Sequence, residues 1–307
     1  MNDRMIETWR GCANAWECDE MGHMNVRYYL ARCSEGLGRI AAALAMPGAF
    51  APKATSTLAP VQQHIRFQAE AHAGAPLSMR GGVAAMGETS AAIYQELLHA
   101  DGRPAATFLT RLSHVDAYSG KSFPWSSRSR ALAQTLACNV PDYAAQRSIN
   151  LDAPAPRASR ARADALGAPT IGLGMIQPDM VDAFGRLRAE MFIGRISDAA
   201  PNLFARWRHE SGAAQGKRLG GAVVEYRVDY RRWPGVGDLL EVRSGVIAMQ
   251  EKTQRVVHWL IDPVQGDAYG TAEVIAITFD LDARKAVAPP PEQRALLEAS
   301  AIPDLAT

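Results

Sequence analysis

Asp19, His23 and Asn25 lie close together in the run Cys18-Asp19-Glu20-Met21-Gly22-His23-Met24-Asn25. A carboxylate partly shielded from water can take a proton from attacking water, and a neighbouring imidazole or amide can orient either group. The run leads directly into Val26-Arg27-Tyr28-Tyr29-Leu30, so it opens a helix, and helix N-terminal N–H groups can stabilise a developing oxyanion without reorganising. Each residue also has a plainer role. Asp before a helix caps orphan amides, Asn25 suits an N-cap, His23 can bond to loop backbone, and Gly22 allows a conformation that a Cβ forbids.

The run returns in degenerate form as Asp179 through Ile193. Without gaps, Asp19 falls on Asp182, Gly22 on Gly185, Tyr29 on Phe192, Arg32 on Arg195, Ser34 on Ser197 and Glu35 on Asp198, an offset of 163 positions. The offset continues through Val61 and Val224, Ile65 and Val228, Phe67 and Tyr230, Gly74 and Gly237, Arg80 and Arg243, and Glu88 and Glu251. After a one-residue slip, Thr107 meets Thr271 and Asp116 meets Asp280. A solenoid repeats every ~20–50 residues, so this spacing means two whole domains.

The second turn keeps Asp182 and Gly185 but carries Arg186 and Arg188 in place of His23 and Asn25. Two cations near a helix N-terminus either bind phosphates or tie Asp182 into an ion pair, which makes it a poorer base. Glu35 reads as the polar edge of a mostly buried helix, or as a partner behind the site.

The elements that must hold these turns are legible from periodicity. Tyr29, Leu30, Cys33, Leu37, Ile40 and Leu44 recur at three and four, as do Phe192, Ile196, Ala199, Leu203 and Trp207. Ala and Gly in these helices let a sheet approach closely. Strand-like segments, 7–16 and 170–178, precede the turns. After the helices come 61–67 and 224–230, where Val224, Tyr226, Val228 and Tyr230 alternate with Glu225, Arg227, Asp229 and Arg231. Further strands are expected at 76–86, 90–100 and 104–116, and at 238–249, 252–263 and 268–281.

Short connections between strands imply an antiparallel sheet around one helix, an α+β architecture. The expected domains are 1–125 and 166–290. A Ser-, Arg-, Ala- and Pro-rich linker, 126–165, carries one helical patch at 128–138, and a tail occupies 291–307.

An apolar fraction of 48% with 21% charged residues supports two packed cores in 307 residues. A net charge of +1 offers no strong field for nucleic acid or an anionic membrane. Cys12, Cys18, Cys33 and Cys138 lack metal-ligand spacing, so we expect reduced thiols, no metal and no cofactor. Neither a signal-peptide core nor a membrane span is recognisable, and a soluble cytoplasmic protein is expected.

Asp19 through Asn25 with Tyr29 and Glu35 resembles the signature of 4-hydroxybenzoyl-CoA-thioesterase-like hotdog proteins. The resemblance covers both repeats and implies a tandem hotdog, a plan shared by plant acyl-ACP thioesterases. It implies that Asp19 attacks the thioester or activates water, that the amide near Val26 polarises the carbonyl, and that an acyl-CoA or acyl-carrier-protein ester is the substrate. His23, Asn25 and Asp182 join Asp19 as candidate catalytic residues, with Gly22, Val26, Tyr29, Arg186 and Arg188 as candidate substrate contacts. A homodimer of doubled chains is left open.

Hydration of enoyl thioesters is disfavoured, since its family pattern is Gly-Asp-x-Asn-Pro-x-His and no Asn-Pro follows Asp19. No Gly-x-Ser-x-Gly elbow is present, and Gly172-Leu173-Gly174 is a lone glycine pair. The competing reading is an acyl-thioester binder or scaffold without catalysis, in which Asp19 serves structure.

Overall fold

A computed structural model describes residues 4–19, 21–210, 219–280, 282–283 and 285–307. Glu20 of the turn, the Trp207 side chain and Leu281 lie outside the described residues. In chain order the first part holds β1 (Ile6–Cys12), α1 (Val26–Ala43), β2 (Ser56–Phe67), β3 (Pro76–Met86), β4 (Ser90–His99) and β5 (Pro104–Asp116). There follow α2 (Ser127–Thr135), α3 (Arg160–Ala165), β6 (Thr170–Met175) and α4 (Ala189–Glu210). The chain continues with β7 (Leu219–Tyr230), β8 (Leu239–Met249), β9 (Thr253–Ile261), β10 (Ala268–Asp280), β11 (Lys285–Val287) and α5 (Pro291–Ala299).

Two compact units result. One comprises Met1–Gln146 with Val181–Met191, the other Arg147–Met180 with Phe192–Thr307. The first unit's strands run β1-β3-β4-β5-β2, all antiparallel. The second unit's run β7-β10-β9-β8-β6, with β11 beside β10.

Helix α1 buries the face that its periodicity marks. Leu37, Ile40, Ala41 and Leu44 share one core with Leu58, Val83, Ile93 and Leu112, sealed by Trp125, Ala133 and Leu136 from the chain after β5. The expected close approach is real at Gly36, where an added Cβ would press on Gln95 Nε2.

The segment expected as a strand over 7–16 leaves the ladder after Cys12 for a 3-10 turn at Ala15–Glu17. A capping box draws it out: the Glu17 carboxylate accepts the Asn14 amide at 3.0 Å. The segment over 170–178 likewise ends at Met175, with a 3-10 turn at Pro178–Met180, and proline cannot donate to a ladder.

The linker divides between the units, which departs from a separate 126–165 segment. On the first unit, Arg66 donates to Ala145 O at 2.7 Å, Gln68 to Tyr143 O at 2.8 Å, and the Tyr143 hydroxyl to the buried Glu96 at 2.6 Å. On the second, Glu225 accepts the Arg147 and Ser148 amides, and Arg227 donates to Asn150 O and Ala153 O. The linker thereby covers the polar face of β7, leaving Glu225 and Arg227 buried although their alternation reads as solvent-facing. The tail also belongs to the second unit, where Trp259, fully buried, donates to Leu305 O at 3.2 Å.

Candidate active site

Asp19 closes its own turn. Its amide donates to His23 O at 3.0 Å, its carbonyl accepts the Gly22 amide at 3.0 Å, and Oδ1 accepts the Met21 amide at 2.9 Å. Gly22 adopts φ +80°, a conformation that would cost an L side chain roughly 1–2 kcal/mol. With Oδ1 committed to the turn, Oδ2 faces His23 Nδ1 at 3.3 Å. The two side chains are 18% and 13% exposed, shielded but reachable. Burial acts to raise the Asp19 pKa, yet the hydrogen bond and charge of His23 and the Met21 and His23 amides outweigh it. The carboxyl therefore titrates below its ordinary range.

The segment after β2 lies against this turn and supplies two residues that sequence reasoning missed. Glu70 Oε1 stands 3.8 Å from His23 Nε2, and Glu70 Oε2 stands 3.9 Å from His72 Nε2. His72 Nδ1 lies 3.0 Å from Gly22 O, and the Met24 amide donates to Ala71 O at 2.7 Å. His23 thus sits between two carboxylates. No local signal marks Glu70, because strand β2 and a long loop separate it from the turn.

Asn25 is the N-cap of α1, its Oδ1 accepting the Arg27 amide at 3.0 Å. Val26 is the first helical residue, and its amide is among the first-turn donors without an intrahelical acceptor. Tyr29, expected against substrate, is only 4% exposed. Its hydroxyl accepts the Ala71 amide at 2.9 Å and its ring meets Phe67 edge-on, so it anchors the 70–72 segment. Burial, aided by the charges of Cys18 and Asp19, pushes its pKa up to about 12 against the Ala71 bond. Glu35 is half exposed, at the polar edge of α1.

The second turn repeats this backbone. Asp182 donates its amide to Arg186 O at 2.7 Å and its carbonyl accepts the Gly185 amide at 3.0 Å, while Oδ1 accepts the Phe184 and Arg186 amides. The difference lies at Oδ2, which takes Arg186 Nε at 3.2 Å and Nη2 at 3.0 Å. Arg188 pairs with Glu190 at 3.4 Å, and Glu190 also accepts the Ser34 hydroxyl at 3.1 Å. Both arginines are thus paired with carboxylates of the protein, and for Arg186 this is the ion pair that its position left open beside phosphate binding.

In the second unit, the position matching Glu70 is Trp233, stacked on Tyr230 and edge-on to Phe192. Ala71 and Tyr29 become Pro234 and Phe192. The N–H and the hydroxyl of one hydrogen bond disappear together, so neither partner is left unsatisfied.

The sequence matches the family model of the Thioesterase-like superfamily over 13–135 and 176–297. The two segments take in both acidic turns and both long helices. This chain belongs to the thioesterase-like superfamily. No curated protein sequence matches it. Among solved structures it is similar to a Lactobacillus plantarum protein assigned as an oleoyl thioesterase, with TM-score 0.67 and 12% identity over 88% of this chain and 95% of that one. An acyl-ACP thioesterase of Bacteroides thetaiotaomicron gives 0.66 and 12%, over 90% and 100%. The 12:0-ACP thioesterase of Umbellularia californica gives 0.65 and 10%, over 90% and 94%.

The thioesterase-like chain is therefore a tandem hotdog of α+β class, as its repeat implies. Its fold brings Asp19, Gly22, His23, Asn25 and Val26 together in one turn, with Glu70 and His72 beside them. A cleft of about 550 Å³ lies elsewhere, lined by Arg80, Tyr94, Glu96, Cys138 and Tyr143, and shares no residue with the turn. Among the described residues no cluster of His, Cys, Asp and Glu is arranged to hold a metal, and no helix is long and apolar enough to cross a membrane.

Proposed function

We propose that the protein hydrolyses an acyl thioester of CoA or of acyl carrier protein, with Asp19 as the catalytic base. The observation that carries this reading is the division of labour in Asp19: Oδ1 holds the turn while Oδ2 faces His23 at the N-terminal end of a helix. Water attacks the thioester carbon as Oδ2 accepts its proton. The carbonyl oxygen becomes an oxyanion met by the Val26 amide, a preorganised donor at the positive end of α1. Collapse breaks the C–S bond, and the thiolate leaves with a proton carried through the Asp19–His23 pair. Glu70 stabilises the imidazolium that this transfer requires.

In this reading Asp182 is a turn residue, because Arg186 occupies the oxygen that Asp19 keeps for chemistry. Similarity to the Bacteroides acyl-ACP thioesterase and the Umbellularia 12:0-ACP thioesterase supports carrier-protein esters beside CoA esters as substrates.

Thiol release should be measured from acetyl-, octanoyl-, palmitoyl- and benzoyl-CoA and from octanoyl- and palmitoyl-carrier protein. Wild type and Asp182→Asn are expected to be active, and Asp19→Asn to lose at least ~100-fold in kcat with folding intact. A wild type silent on every ester would sink the hydrolase reading and favour an acyl-thioester binder.

A further inference from the structure

The acidic turn is held at its base by a buried ion pair that none of its catalytic candidates explains. Glu17 precedes the turn, its carboxylate only 4% exposed, and it is gripped by Arg32 from within α1. The other Glu17 oxygen accepts the Asn14 amide at 3.0 Å, and the Glu17 carbonyl accepts the Asn25 amide at 2.8 Å. One residue thus meets both ends of the turn: the strand side that leads to Asp19, and the N-cap that starts the helix.

Arg32 is fixed in turn. It pairs with Glu35, lies over the Trp9 ring at 5.0 Å, and Trp9 Nε1 donates to Glu35 at 2.7 Å. The second repeat keeps the arginine as Arg195 but places Met180 at the Glu17 position and Gly172 at the Trp9 position. The Nε of Arg32 and of Arg195 are both buried donors without a hydrogen-bond partner, so the repeats differ in the carboxylate offered to the rest of the guanidinium, Glu17 against Met180. The grip exists where the turn carries His23 and is absent where Arg186 neutralises the aspartate.

We propose that the Glu17–Arg32 pair is a clasp that sets the separation between the Asp19 carboxylate and the amides at the start of α1. Glu17 and Arg32 are then positioning residues for hydrolysis, a role that rests on the thioesterase reading above. Base and oxyanion donor belong to different elements, a turn and a helix, and a misplacement of about 1 Å between such groups can cost ~100-fold in rate. A carboxylate held by a guanidinium that Glu35 fixes through its second nitrogen resists that displacement better than the backbone bonds alone.

The test compares kcat, KM, melting temperature and hydrogen exchange at the Asn25–Arg27 amides, on whichever ester of the panel above wild type cleaves fastest. Glu17→Gln keeps an acceptor for the Asn14 amide but removes the charge that holds Arg32. It should lower kcat by about 10- to 100-fold with KM within about twofold, and speed exchange at the helix start. Arg32→Lys keeps the charge without the second nitrogen and should lose less. Glu17→Gln combined with Arg32→Lys should cost no more than the worse of those two single changes, since both weaken one interaction.

Arg195→Met, at the matching position of the second repeat, should leave kcat within about twofold. Active wild type with unchanged kcat in folded Glu17→Gln and Arg32→Lys overturns the clasp and leaves the hydrolase reading standing. A wild type silent on the whole panel overturns that reading, and with it the positioning role, whatever the exchange data show.

Discussion

The two oxygens of Asp19 do different work, and the imidazole beside one of them sets its ionisation. Burial alone would raise the Asp19 pKa, whereas His23 and two backbone amides bring it below the ordinary carboxylate value of 3.8. A base must be deprotonated to act, so the acid limb of kcat/KM should fall below that value in wild type. His23→Leu removes the hydrogen bond and the charge but leaves the burial, and the limb should move to higher pH. A pH profile of the variant with an unmoved acid limb would deny the pair its role. The turn residues themselves were legible in sequence, because backbone closure and chemistry use neighbouring positions. Glu70 and His72 were not, since only the return of the chain after β2 brings them to His23.

At the level of elements, helix α1 shows how the sheet limits what sequence propensity prefers. Gly36 and Gly38 are both interior helical glycines, and alanine would be favoured at each by about 0.8–1 kcal/mol on propensity. A Cβ at position 36 would press on Gln95 Nε2 and stand 2.9 and 3.1 Å from Thr8 Oγ1 and Met79 Sδ, whereas one at position 38 would meet nothing within 4 Å. Overpacking costs ~1–3 kcal/mol and outweighs propensity at Gly36. Gly36→Ala should therefore lower the denaturation midpoint and Gly38→Ala should raise it. Equal shifts in urea melts would mean that α1 does not meet the sheet in this way. Helix and strand periods were readable to within a few residues, but the 3-10 turn at Ala15–Glu17 replaced an expected strand end. Competition from the Glu17 side chain for the Asn14 amide decided that boundary.

For the molecule as a whole, acid stability should be set largely by a histidine far from the Asp19 turn in sequence. His258 is buried in the second unit with Nδ1 2.6 Å from the Ser244 hydroxyl, and burial lowers its pKa from 6.5 to about 3. The folded state binds fewer protons than the unfolded chain between these values. Its stabilising contribution is complete above pH 6.5 and is lost as pH falls toward 3. His99 and His114, also lowered first by burial, add the same sign. His258→Gln, which copies Gln95 at the matching position of the first repeat, should flatten the decline in urea stability between pH 7 and 5. An identical decline in that variant would place the acid sensitivity elsewhere.

Sequence alone determined the doubling, the α+β class and the candidate turn, because repeats, hydrophobic periods and turn chemistry are local properties written at fixed spacing. Arg186 and Arg188 stay ambiguous in sequence, because spacing cannot tell a cation that waits for a phosphate from one that neutralises its neighbour. Tertiary structure supplies the carboxylate partners: Arg186 closes on Asp182 and Arg188 on Glu190. It decided as well that the linker splits at Gln146 and covers the polar face of β7, since burial depends on which distant segment lies above a strand. The placement of Glu70 opposite His23, and of Arg32 on Glu17, has the same origin: long-range contacts are fixed by packing of whole elements and leave no periodic trace along the chain.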